Sequence, residues 1–217
     1  MTQAEIIENT KKFVKHTLQN AEGGHDWFHI QRVLNNAKHI AKNENVDTYI
    51  VTLGALLHDI ADSKFHKGDE SIGPDKARIF LKEQGVSVEV IEHVVRIIEN
   101  ISFKGGNEAQ QFRSPELDVI QDADRLDALG AIGIARTFNY GGHKGRALYN
   151  PEIKPDLNMS KATYKSSSAP TINHFYEKLL LLKDRMNTQT GRQIAGERHI
   201  FMEEFLEQFF KECDGQL

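Results

Sequence analysis

Apolar residues recur every three or four positions along most of the chain, which is the spacing of amphipathic helices. In residues 25–45, for example, the apolar positions follow the i, i+3, i+4, i+7 rule. We find no convincing strand pattern and no internal repeat. The sequence therefore predicts an all-α fold. Its helices are expected over residues 3–19, 25–45, 47–61, 75–84, 87–100, 114–139, 171–187 and 191–213.

One long stretch, residues 139–170, breaks this pattern, because Gly, Pro, Ser and Lys dominate it. A stretch of this length in a compact domain is usually a functional lid or disordered, and both readings stay open here. Its cationic residues could close over a polyphosphate or simply be solvated. They are Lys144, Arg146, Lys161 and Lys165.

The last two predicted helices also carry polar residues beside their apolar faces. His174, Lys178 and Arg185 share one side of the first of these helices. We expect its core positions to be Phe175, Leu179, Leu182 and Met186. We expect the core positions of the last helix to be Ile194, Phe201, Phe205 and Phe209.

Length and charge narrow the class of protein. A chain of 217 residues can bury a substantial core, and we expect one domain over residues 1–217. Its core would span about residues 20–140, followed by the long loop and a C-terminal helix pair. A net charge of −4 argues against a nucleic-acid binder but leaves room for a local phosphate pocket.

Cysteine content and hydropathy indicate where the protein works. The single cysteine, Cys213, excludes an intrachain disulfide and a cysteine-based zinc site, which fits a reducing cytosol. The N-terminal residues lack the form of a signal peptide, and no apolar run approaches the ~20 residues of a membrane span. We expect a cytoplasmic protein without a membrane partner.

Candidate chemistry is concentrated in three short stretches of histidine and aspartate. His58 and Asp59 follow an apolar run, and on a helix Asp62 would share their face. Burying a carboxylate beside an imidazole is costly unless something compensates, and a divalent cation is one such compensation. The alternative is an ordinary core helix that ends in a hydrophilic turn. The other two stretches are His25-Asp26-Trp27-Phe28-His29 and Asp122-Ala123-Asp124-Arg125-Leu126-Asp127.

This ordered His…His-Asp…Asp set resembles the HD-domain metal-dependent phosphohydrolases, and its flanking residues resemble the YpgQ-like bacterial branch of that superfamily. The resemblance implies a compact HD-type helical bundle and a metal bound by His29, His58, Asp59 and Asp124. The motifs that carry it are His25-Asp26-x-x-His29-x-x-Arg32-Val33, His58-Asp59-x-x-Asp62-x-Lys64, Ile101-Ser102-Phe103-Lys104 and Asp122-Ala123-Asp124-Arg125-Leu126-Asp127-Ala128.

Nitrogen and oxygen donors without sulfur suit Mn, Fe, Co, Ni or Zn better than Ca. We expect one divalent ion, with Mn²⁺ as the first choice. His25 is the alternative to His29, because a His-x-x-x-His spacing places both on one helical face, although a cap or supporting role is favoured. Asp122 is expected to face outward or to support the ligands. We expect His93 to be a core histidine.

The remaining candidates concern water and substrate. Asp62 could orient or deprotonate a metal-bound water, with Asp127 as the next candidate. Cationic side chains must meet the charges of a polyphosphate, although each could instead be an ordinary solvated residue. The substrate-binding candidates are Lys64, Lys104, Arg32 and Asp127, and Lys64 is also grouped with Asp62 as catalytic.

By resemblance, the expected activity is hydrolysis of nucleoside or deoxynucleoside triphosphates to monophosphate and pyrophosphate, with a nucleotide as the small-molecule partner. Alternatives are a nucleoside monophosphate phosphatase and a guanosine tetraphosphate hydrolase. The latter usually has two acidic residues after the His-Asp pair, whereas this chain has Asp62-Ser63-Lys64. A module that senses nucleotides without turnover is the alternative of another class. We also allow for a homodimer.

Overall fold

The structure is a computed structural model that describes residues 1–19, 24–61, 71–101, 112–158 and 168–217. Within these ranges the chain is helical and contains no strand, which confirms the all-α prediction. Across the same ranges, no helix combines the length and apolar character needed to cross a membrane. The described residues fall into two compact units, Met1–Asp124 and Arg125–Leu217. The single domain over residues 1–217 stays a prediction.

The first unit is built around an apolar central helix that packs against several of the others. All eight residues from Ile50 to Leu57 in this helix are buried, which explains its continuous apolar run. The neighbouring second helix buries only one face, as its amphipathic pattern predicts. The helices that begin in this unit are α1 (Gln3–Thr17), α2 (Trp27–Ala41), α3 (Thr48–Leu57), α4 (Ile72–Glu83), α5 (Val88–Asn100) and α6 (Pro115–Leu126).

Helices α3 and α6 run side by side in the same direction. At their N-terminal ends, the backbone N–H of Asp47 donates to Glu116 Oε1 at 3.0 Å. Near the middle, a Cβ atom on Gly54 would lie only 2.6 Å from Ile120 Cδ1, so the absence of a side chain permits this close approach. The carboxyl ends of both helices therefore lie at the same end of the unit.

The predicted helix over residues 114–139 is wrong, because the chain breaks it in two. Helix α6 ends at Leu126, and α7 begins at Gly130 and continues to His143. Between them Leu129 is extended and Gly130 has a φ of 68°, a left-handed conformation that favours glycine. The sequence has no proline at this point, so a single glycine, Gly130, was the only local indication that the helix ends.

The predicted helix over residues 171–187 is also wrong. The structure has a five-residue helix, α8 (Asn173–Glu177), followed by a 3₁₀ helix, Leu179–Arg185. Lys178 separates them, since its φ of −144° and ψ of −55° leave the helical region. The final helix, α9 (Gln189–Cys213), packs against α7 and the 3₁₀ helix.

The core register of α9 differs from the prediction by about one residue. Phe201 was expected in the core, but its side chain is 48% exposed. Met202 and Leu206 are buried instead. Phe205 and Phe209 are partly buried and contact Phe138 of α7, with ring centroids 6.0 and 6.4 Å apart. The prediction placed the large aromatic residues in the core, whereas the fully buried positions of this stretch are the non-aromatic Met202 and Leu206.

The segment after α7 contains turns and is joined to the start of α8. The backbone N–H groups of Thr171 and Ile172 donate to the carbonyls of Ala147 and Leu148, at 2.9 and 3.1 Å. Residues 159–167 of the predicted loop, which include Lys161 and Lys165, lie outside the described residues. In the described part, the backbone pairing places Arg146 alongside the start of α8.

One partly buried histidine in the second unit predicts a pH-dependent stability. Burial, together with the positive charges of Lys178 and Arg146, lowers the pKa of His174 from 6.5 to about 4. The folded state therefore keeps His174 neutral where the unfolded chain binds a proton. The contribution of His174 to the free energy of unfolding is fully present above pH 6.5 and is lost as the pH falls towards 4.

We expect wild-type protein to lose about 2 kcal/mol of unfolding free energy between pH 7 and pH 5 that His174→Gln does not lose. Urea unfolding at both pH values measures this difference. His143→Gln, which replaces an exposed histidine, should follow the wild type. Equal pH dependence in wild type and His174→Gln would contradict the assignment.

Candidate metal centre

His58 presents one ring nitrogen without a hydrogen-bond partner. It follows directly after α3, and its Nδ1 donates to the carbonyl of Ala55 at 2.9 Å. Because a carbonyl only accepts, the proton lies on Nδ1, and Nε2 presents its lone pair. Nε2 is buried and makes no hydrogen bond. A buried unpaired nitrogen is costly, so this arrangement suits an atom that binds a cation.

His29 is held by the first turn of α2. The side chain of Asp26 caps this helix, accepting a hydrogen bond from the backbone N–H of His29 at 2.9 Å. His29 itself is only 2% exposed. We assigned no role to Asp26 from the sequence, although an aspartate just before an amphipathic helix often indicates the N-terminus of that helix.

Asp124, on the last turn of α6, brings a carboxylate to these two imidazoles. Its Oδ1 lies 3.5 Å from His29 Nε2 and 4.0 Å from His58 Nε2. Two donors that each bind one ion at about 2.1 Å are at most about 4.2 Å apart. These separations therefore fit one divalent ion, and the three residues form a group that could hold a metal.

Asp59 completes the cluster from the other side. Its Oδ2 lies 4.0 Å from His29 Nε2 and 2.5 Å from His25 Nδ1. Burial alone would raise the pKa of Asp59, but the hydrogen bond from His25 and the nearby imidazoles of His58 and His29 outweigh it and lower that pKa. The carboxylate is therefore charged at neutral pH.

His25 reaches the cluster by a different route from the one expected. Helix α2 begins at Trp27, so His25 lies before it, and the argument that His25 and His29 share a helical face is wrong. Instead, His25 joins the cluster through its Nδ1, which lies 2.5 Å from Asp59 Oδ2. His25, His29 and Asp59 form a second group of donors that shares His29 with the first. Because His29 Nε2 lies near the carboxylate of each group, Asp59 Oδ2 in one and Asp124 Oδ1 in the other, we interpret the two groups as one centre.

Two other residues considered near the metal, Asp122 and His93, lie outside the two donor groups. Asp122 is completely buried, so it does not face outward. His93 is partly buried, and its Nε2 lies 2.9 Å from Ser114 Oγ, apart from the donor groups among the described residues.

The structure locates two of the substrate-binding candidates. Arg32 is partly buried on α2, one turn after His29. Asp127, in the second unit, is 1% exposed, and its Oδ2 accepts a hydrogen bond from Arg136 at 2.6 Å. Three further candidates, Asp62, Lys64 and Lys104, lie outside the described residues. All five functional assignments stay predictions.

Comparison with known proteins agrees with this fold and shows the family. The HD domain family model matches residues 27–129, the stretch that carries all four predicted ligands. The chain belongs to the HD-domain family. It is 38% identical to the uncharacterized protein YpgQ of Bacillus subtilis (strain 168), over 99% of this chain and 97% of YpgQ. This similarity confirms the resemblance to the YpgQ-like branch.

Solved structures show the same relationship. A crystal structure of an HD-superfamily hydrolase from Bacillus thuringiensis is 46% identical, with a TM-score of 0.80, and the match covers 98% of this chain and 99% of that one. The crystal structure of Bacillus subtilis YpgQ in complex with ADP is 36% identical, with a TM-score of 0.75 and coverage of 95% and 97%. The family and these neighbours support a hydrolase.

We expect His58→Ala and Asp124→Ala each to abolish metal retention, because each removes a donor from the three-residue group. Helical content by circular dichroism should stay near that of the wild type. Metal analysis after dialysis measures the loss, and His39→Ala, an exposed residue of α2, is the control. Stoichiometric metal in Asp124→Ala would remove that residue from the ligand set.

The two histidines near α2 should behave differently. His29→Ala should lose the metal, whereas His25→Ala should retain most of it, with affinity reduced about tenfold, as for a residue that orients a ligand. Competition with a chromophoric chelator measures both affinities. The opposite order would make His25 the ligand.

Proposed function

We propose that this protein is a metal-dependent nucleotide phosphohydrolase that cleaves nucleoside or deoxynucleoside triphosphates to monophosphate and pyrophosphate. The observation that carries the proposal is the convergence of His29, the unpaired Nε2 of His58, and Asp124 on one point, with Asp59 beside them. We assign these four residues as the metal ligands. The YpgQ structure in complex with ADP supports a nucleotide as the ligand class.

The donor set favours a transition-metal ion. Two imidazoles and two carboxylates, without sulfur, suit Mn, Fe, Co, Ni or Zn, and we propose Mn²⁺ first. The ion would supply a bound water with a pKa lowered towards neutrality and would polarise a phosphoryl oxygen. Helices α3 and α6 end at this point, and the partial negative charge of helix C-termini favours a cation there.

The protein's own residues would orient the donors and place the substrate. Ala55 holds the ring of His58, and His25 holds Asp59. We assign Asp62 to accept the proton of the attacking water. As the water oxygen bonds to the α-phosphorus, the bond from that phosphorus to the bridging oxygen breaks, and pyrophosphate leaves. Lys64, Lys104, Arg32 and Asp127 would position the nucleotide.

The test is a screen of nucleotides with product identification. Purified protein, stripped of metal and supplied with Mn²⁺, should release pyrophosphate from triphosphates, as resolved by ³¹P NMR. Release of phosphate from monophosphates would identify a nucleotidase instead, and release of pyrophosphate from guanosine tetraphosphate a different hydrolase. Nucleotide binding without product would favour a sensing module.

Asp62 and Lys64 should affect different kinetic parameters. Asp62→Asn should retain metal and substrate affinity but lose about 10²–10⁴-fold in kcat, the range for a general base. Lys64→Ala should mainly raise KM, more for triphosphates than for monophosphates, because uniform binding is lost. Asp69→Asn, in the same polar segment, is the control. Wild-type turnover by Asp62→Asn would move the base to another carboxylate, with Asp127 next.

A further inference from the structure

Two side-chain amides join the helix that carries Asp124 to its neighbours within the unit Met1–Asp124. The first belongs to Asn36 of α2, whose Nδ2 donates to the carbonyl of Ala123 at 3.3 Å. Because a carbonyl only accepts, the nitrogen of this amide must face it. Ala123 directly precedes Asp124, so the hydrogen bond reaches the backbone beside the predicted ligand.

Asn36 occupies a position that the amphipathic pattern of α2 would give to an apolar residue. It lies two turns after His29 on the same side of the helix, between the buried residues Val33 and Ile40. The ring nitrogen Nε2 of His29 lies 3.5 Å from Asp124 Oδ1. Helix α2 therefore makes two polar contacts with the last turn of α6, one through a predicted ligand and one through Asn36.

Gln121 joins the same part of α6 to a different helix. This residue is 5% exposed, and its Nε2 lies 3.0 Å from the carbonyl of Asn100 and 3.4 Å from that of Ile101. Both carbonyls are at the carboxyl end of α5, where a helix has C=O groups that it cannot pair internally. The amide of Gln121 therefore caps α5 and holds it against α6, one turn before Asp124.

The donors of the metal centre tolerate little movement of α6. Two donors that bind one ion at about 2.1 Å are at most about 4.2 Å apart. His58 Nε2 and Asp124 Oδ1 are 4.0 Å apart, which is already close to this limit. A small outward movement of Asp124 would therefore prevent the two residues from sharing one ion.

We propose that Asn36 and Gln121 are positioning residues of the metal centre. They fix the last turn of α6, so that the carboxylate of Asp124 can share one divalent cation with His29 and His58. The inference rests on the proposed function only in taking these last three residues as metal ligands. Removing either amide deprives a carbonyl at a helix end of its side-chain donor, which favours a shift of the helix towards another partner.

The test measures Co²⁺ binding by the full-length protein without any nucleotide. Competition with a chromophoric chelator gives the affinity, and the visible absorption of bound Co²⁺ reports the arrangement of its ligands. We expect Asn36→Leu and Gln121→Met, which keep the approximate size of each side chain, to weaken Co²⁺ binding about tenfold or more and to change the spectrum. Asn36→Gln, which keeps an amide donor, should bind Co²⁺ more tightly than Asn36→Leu.

Two control variants separate positioning of the ligands from a general loss of stability. Asn35→Leu replaces the neighbouring asparagine, which is exposed, and should bind Co²⁺ as the wild type does. Leu81→Ala opens a cavity at a fully buried position of α4, so it should lower the Tm in excess EDTA without changing the Co²⁺ spectrum. If Asn36→Leu does not fold, Asn36→Ala and Gln121→Met carry the test.

The outcomes distinguish this inference from the proposed function. Weaker Co²⁺ binding in the Asn36 and Gln121 variants would support the inference even if the protein hydrolysed no nucleotide. Wild-type affinity and spectrum in these variants would overturn it and leave the metal centre intact, and so would an equal spectral change in Leu81→Ala. Wild-type protein that binds no Co²⁺ would contradict the metal centre itself, and the inference would fall with it.

Discussion

The parallel approach of α3 and α6 brings together two donors of the candidate metal centre from distant parts of the sequence. His58 and Asp124 are far apart in sequence, and each lies at or just beyond the carboxyl end of one of these helices. A side chain at Gly54 would meet Ile120 at 2.6 Å, so the spacing of the two helices depends on that glycine. The hydrogen bond from Asp47 to Glu116 fixes the other end of the pair. Together these contacts bring His58 Nε2 and Asp124 Oδ1 to 4.0 Å.

Burying these donors has an electrostatic cost, and several separate local interactions offset part of it. The imidazole of His58 is oriented by the carbonyl of Ala55, and the backbone of His29 is held by the Asp26 cap at the start of α2. The carboxylate of Asp59 is stabilised by His25, which explains why its pKa is lowered despite burial. The ends of α3 and α6 add partial negative charge. A divalent cation is the partner that satisfies all of these groups together.

The structure brings together the residues that the sequence predicts as ligands, whereas it departs from the predicted path of the backbone around them. The ordered set of His29, His58, Asp59 and Asp124 could be recognised because its motifs are short and local. The contact of His25 with Asp59 could not, because it depends on where α2 begins. Likewise, the break between α6 and α7 depends on one left-handed glycine, and the register of α9 depends on tertiary packing that periodicity alone does not determine.

An unpaired buried atom does not by itself identify a functional site, and this molecule shows why. Among the described residues, three buried side-chain atoms lack a hydrogen-bond partner: His58 Nε2, Thr171 Oγ1 and His199 Nδ1. Thr171 packs closely against Gly141, and the other nitrogen of His199 lies 3.2 Å from Glu203. Only His58 lies among converging donors from other helices. What distinguishes the metal centre is therefore the convergence of fixed lone pairs, since each could be tolerated singly as a modest loss of stability.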